Sequence, residues 1–142
     1  MVFVIALVIA ALFSLLCDKA LKKYAGAFYI AAVVLAAIAA GCTYAGVTAG
    51  FSIWFSTWIW PLVARGSLGT ALFVVVMVTG ALPNGSAAMK KLMPIRGELS
   101  IIASILTLGH NITYGKTYFV MLFTQPAMLS GTQLLACISS LV

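Results

Sequence analysis

Long apolar runs separated by short polar breaks set the plan of this chain. Residues 1–16 are uncharged and apolar, and they give way to Cys17-Asp18-Lys19, with Lys22-Lys23-Tyr24 completing a first loop. Residues 24–48 form a second run, rich in Ala and Gly, the small residues through which membrane helices approach closely. Residues 51–60 hold Trp54, Trp58 and Trp60 with Phe51 and Phe55. Tryptophan belongs at headgroup level, and Trp54 and Trp58 share a helix face at a spacing of four. A third run, from about Gly66 to Leu82, follows the break favoured by Pro61 and stops at Pro83-Asn84-Gly85-Ser86, a strong turn signal. Lys90, Lys91, Pro94 and Arg96 make the next stretch a basic, broken loop. Arg96-Gly97-Glu98 opens a fourth run to Tyr114 or Phe119, and Gln125-Pro126 opens a weaker fifth ending at Leu141-Val142. A spanning helix needs about 20 mostly apolar residues, so the pattern predicts an all-α integral membrane protein. Its expected form is a bundle of about five transmembrane helices with a Trp-rich interfacial segment.

Composition agrees. The 142 residues are 64% hydrophobic and 7% charged, which excludes an ordinary soluble domain. They read as a single transmembrane domain, 1–142, with two N-terminal spans in 1–48 and the remaining spans in 66–142. The net charge of +6 does not point to nucleic acid. Lys19, Lys22, Lys23, Lys90, Lys91 and Arg96 flank hydrophobic runs instead of spreading over a solvated face. With both basic loops, 18–24 and 84–97, on the cytoplasmic side of a bacterial inner membrane, the N-terminus lies outside and the spans alternate without conflict. Membrane lipid is the expected partner, and nucleic acid is not. Cys17, Cys42 and Cys137 have neither CxxC spacing nor a His neighbour, so they read as small hydrophobic residues. A lipoprotein signal before Cys17 is disfavoured, because the run lacks a basic start and Leu16 stands where a small residue is needed.

One residue breaks the apolar pattern in a way that suggests chemistry. His110 is the only histidine, and it lies near the end of the fourth run. Ionisable groups inside a membrane are costly and mark functional sites. A neutral imidazole in a helix-walled apolar site is what a membrane haem needs as axial ligand. Leu99, Ala103, Leu106 and His110 form one stripe at three- and four-residue spacing. Gly109 would leave room beside a flat macrocycle, while Thr107, Asn111 and Tyr114 are near enough to orient the second imidazole nitrogen or a propionate. Twelve residues past Glu98, or about 18 Å of helix, His110 falls in the outer half of the bilayer. Spacing alone leaves two readings open: an iron ligand, or a packed residue with a hydrogen-bonded ring.

From Arg65 onward the chain resembles the ferric-reductase-like transmembrane domain family. Within it, the likeness is to the haem-binding membrane subunits of bacterial periplasmic methionine-sulfoxide reductase systems. The residues that carry it are Gly66-Ser-Leu-Gly69-Thr-Ala71-Leu, a short Pro-containing loop, Arg96-Gly-Glu-Leu99, Leu108-Gly109-His110 and Tyr114. The resemblance implies a b-type haem, with His110 as its metal ligand and Gly109, Tyr114 and Arg96 beside the cofactor. It also implies electrons passing from a flavin or quinone donor to a redox partner protein. The family's other haem histidine lies on a later helix, so the 66–142 part is expected to be incomplete at its C-terminus. Otherwise a methionine (Met77, Met121 or Met128) or another subunit supplies the second ligand. No GxGxxG motif follows a strand pattern.

Two alternatives stand beside this electron-transfer subunit: a small membrane transporter or substrate-binding component, and an assembly subunit with no chemistry of its own. Asp18 and Glu98 are the only carboxylates, and their separation leaves no acid–base pair.

Overall fold

The computed structural model describes residues 2–46, 50, 52–53, 55–124, 128 and 130–139. Phe51, Trp54, Gln125-Pro126, Leu141-Val142 and positions 47–48 of the second run lie outside the described residues, as do the side chains of Phe119 and Cys137. The described residues are helical throughout, joined by turns, and contain no strand. α1 is Val2–Leu16, α2 Asp18–Lys23 and α3 Ala25–Tyr44. A π-helical turn, Phe55–Ile59, runs into α4, Trp60–Ala64, with Pro61 where a helix start tolerates its missing N–H. After Gly66 comes α5, Ser67–Thr79, bent by 55° from the preceding helix. α6 is Ala87–Leu92, α7 Arg96–His110, α8 Lys116–Thr124 and α9 Gly131–Ser139.

Two helices are long and apolar enough to cross a membrane: Ala25–Tyr44, with mean hydropathy 2.2, and the 38-residue run Ala87–Thr124. The bent pair Phe55–Ala64 and Ser67–Thr79 would make a third if it is one span, and α1 is a shorter apolar helix. The second run corrects one boundary. Pro94 was expected to break the chain, but it sits in a 3₁₀ turn, Met93–Ile95, that carries α6 into α7. The tighter 3₁₀ turn accommodates a residue that has no N–H to give, and the helical path continues past it. The expected turn at 83–86 is present: Gly85 takes a positive φ of 85°, and Ser86 Oγ accepts the Met89 N–H at 3.2 Å to cap α6.

Packing follows residue size. α3 packs on α7, α7 on α5 and α5 on α1. α1 presents Ala6, Ala10 and Ser14, all fully buried and four apart, and the Ser14 hydroxyl donates to the Ala10 carbonyl at 2.7 Å. Small faces matter here because lipid tails are as apolar as leucine, so helices associate through close contact. α7 buries Leu99, Ile102, Ala103 and Leu106, so three residues of the predicted stripe are buried, while the fourth, His110, is half-buried. α2 packs against the Met93–Ile95 turn, with Leu21 and Ile95 buried, so the two basic loops lie at one end of the bundle.

Candidate functional site

α7 delivers His110 to the elbow between α4 and α5. The ring's Nδ1 lies 2.7 Å from the backbone oxygen of Ala64, the last residue of α4. A carbonyl can only accept, so Nδ1 carries a proton, and in the neutral ring the lone pair then falls on Nε2. Sequence spacing pointed to Thr107, Asn111 or Tyr114 as the group that orients the imidazole; the structure gives that task to Ala64, 46 positions away. Nε2 has no hydrogen-bond partner among the described residues. Nor is it sealed in, since Thr107 Oγ1 is the buried side-chain polar atom those residues leave unpaired.

Glycines make this contact fit. Gly66 holds φ at +70°, and a methyl there would stand 3.0 Å from Cγ and Cδ2 of the His110 ring. A side chain would strain the backbone and push the imidazole together. Gly69, one turn on, faces α7 so closely that its methyl would come within 2.6 Å of Thr107 Oγ1. The space beside Gly109 belongs to packing: a methyl there would meet Ala36 Cβ of α3 at 2.6 Å.

Beyond His110 the backbone loosens into a π-helical turn, Asn111–Gly115, a form that often accompanies functional sites. Hydrogen bonds tie this turn to α3 and to α7. The Tyr44 hydroxyl donates to Ile112 O at 3.0 Å, and Thr113 Oγ1 donates to Gly109 O at 2.7 Å. Tyr114 is brought to the site, its ring centroid 4.9 Å from that of His110 and tilted by 42°. Arg96 is not. It is exposed at the opposite end of α7, about 21 Å away along the axis.

The void bordered by Ala36, Val63, Ala64, Gly109, His110 and Thr113 is about 10 Å³, room for at most one water. Cofactor pockets run to about 300–1,000 Å³. The donor chemistry of His110 therefore fits a haem, while the interior beside it does not. Among the described residues, no group of three or more His, Cys, Asp or Glu could hold a metal ion.

Comparison with known proteins adds one relative. An uncharacterised protein of Treponema pallidum (strain Nichols) is 35% identical over 136 residues, which cover 94% of this chain and 37% of that protein. The chain thus spans little more than a third of that relative's length. No family model matches the chain, and no solved structure does.

Proposed function

We propose that the chain is the membrane-embedded part of a b-type haem electron-transfer subunit of ferric-reductase-like kind, akin to the membrane subunits of methionine-sulfoxide reductase systems. One observation carries this reading: the Nδ1–H bond to the Ala64 carbonyl leaves Nε2 as a fixed lone pair. Histidines that bind metals are oriented in this way by a carbonyl on the other nitrogen. Bound at His110, haem iron would supply one-electron transfer between a flavin or quinone donor and a redox partner protein. The chain's own residues do the positioning: Ala64 sets the tautomer, Gly66 admits the ring and Tyr114 lies beside it. Arg96 takes the role of a membrane-end cation, not a propionate contact.

The arrangement in the bilayer belongs to the same proposal. About five spans, formed by α1, α3, the α4–α5 pair, α7 and the α9 region, alternate across a bacterial inner membrane. The gathering of both basic loops at one bundle end supports a cytoplasmic placement for 18–24 and 84–97, with the N-terminus outside. The 55° elbow favours a second reading, a transporter or substrate-binding component, because broken helices line such sites.

A reduced-minus-oxidised absorption spectrum of the detergent-purified protein separates the two. A b-type signal is expected from the wild type. It should vanish in His110→Ala, and shift or weaken in Gly66→Ala, whose methyl displaces the ring. Absence of any haem signal, in this chain and in a version extended beyond residue 142, would sink the redox reading and leave the transporter.

A further inference from the structure

Four of the described helices pack side by side in an arc. In the order α1, α5, α7, α3, each neighbour packs on the next, and the arc's two ends, α1 and α3, leave a crevice of about 240 Å³ between them. Phe13 of α1, Phe28 of α3, Leu72 of α5, and Ile102 and Leu106 of α7 wall it. Ile9 and Leu35, 43% and 37% exposed, form its rim, so it opens sideways between α1 and α3. Toward α2 it is narrowed by Phe13 and Phe28, whose rings meet edge to face with centroids 5.8 Å apart. From Phe28 to Leu35 the wall is seven residues, or about 10 Å, long. The volume is too small for another helix, which is about 10–12 Å across with its side chains, and suits an extended hydrocarbon chain.

The link that joins the two sides of this gap is α2, with Lys19, Lys22 and Lys23 exposed. Asp18 is its one carboxylate, and Glu98, the other at this end, already accepts the Tyr29 hydroxyl. The apolar gap therefore has a cationic sill at the level where α1 and α3 leave the bilayer. We propose that the crevice between α1 and α3 seats one acyl chain of an anionic phospholipid whose headgroup Lys19, Lys22 and Lys23 hold. A chain gains little by leaving surrounding lipid for an apolar crevice. Selectivity then comes from the lysines, and three of them acting on one headgroup give a preference of roughly ten-fold or more. The inference needs only a membrane setting and does not rest on haem at His110.

Native mass spectrometry of the delipidated chain in mild detergent tests it. The titrants are dioleoyl-phosphatidylglycerol, dioleoyl-phosphatidylcholine and inorganic phosphate. Phosphatidylglycerol is expected to bind at roughly ten-fold lower concentration than phosphatidylcholine. Lys19→Gln/Lys22→Gln/Lys23→Gln should abolish that preference, whereas Lys90→Gln/Lys91→Gln, at the same end but on α6, should keep it. Ala31→Phe, at the exposed rim, should reduce retention of both lipids. Equal binding of the two lipids, a preference that survives the triple substitution, or retention indifferent to Ala31→Phe would each overturn the proposal. So would lysine-dependent binding of phosphate as tight as that of the lipid, which would mark a simple anion site.

Discussion

α3 and α7 lie side by side, and a tyrosine from α3 ties each end of the pair. At the first end the Tyr29 hydroxyl donates to the Glu98 carboxylate, amid the exposed lysines of both basic loops. At the second, the Tyr44 hydroxyl donates to the Ile112 carbonyl, in a π-helical turn that follows His110. The acceptor is a carboxylate at the first end and a neutral backbone oxygen at the second, although exposed Arg65 lies beside Ala64 there. The same residue type thus closes both ends on acceptors of different charge. A hydrogen bond to a charged group is worth more than one between neutral groups. The histidine end runs on carbonyl acceptors, close glycines and one water-sized void.

The largest expected effect breaks the histidine end by crowding it. Gly109→Val should destabilise by about 2–3 kcal/mol, because its side chain enters the volume of Ala36. Thermal unfolding in detergent reads this, and Ala36→Gly should restore part of the loss; a neutral Gly109→Val would show that α3 and α7 are not in close contact there. Next, the two ties are compared directly. Tyr29→Phe removes a hydrogen bond to a charged group and should cost about 1–2 kcal/mol. Tyr44→Phe should cost about 0.6 kcal/mol, the usual scale for a neutral bond between membrane helices. If urea or thermal unfolding puts Tyr44→Phe above Tyr29→Phe, the contrast between charged and neutral ends fails. The smallest effect has the opposite sign. Thr107→Val removes the buried hydroxyl that lacks a partner beside Gly69, so stability should stay within about 0.5 kcal/mol or rise.

What could be read from the sequence was whatever depends on neighbours along the chain. Apolar run length located α3 and α7, three- and four-residue spacing identified the buried Leu99, Ala103 and Leu106 of α7, and Asn84-Gly85-Ser86 marked the turn before α6. His110 stood out because a lone ionisable residue in an apolar run is rare. What escaped was whatever depends on which helices meet. Nothing local tells that Ala64, ordinary in its own segment, would accept from His110, or that the room beside Gly109 would go to Ala36. Pro94 departs from the expected break for a related reason: a 3₁₀ turn between α6 and α7 absorbs it, which propensity alone does not fix. Gly66 carried the one overlooked signal, a glycine between Arg65 and a new apolar run, where a left-handed residue re-aims the chain.

The hydrogen bond to Ala64 makes the elbow and the imidazole a single mechanical unit. Ala64 ends α4, Gly66 begins the turn into α5, and the ring is held by the first and touched by the second. A change in the 55° angle that moves α4 carries the acceptor carbonyl with it, and one that moves α5 shifts Gly66 against the ring. The imidazole is thus held as a pointer fixed to a joint, its direction set by the helix that carries Ala64.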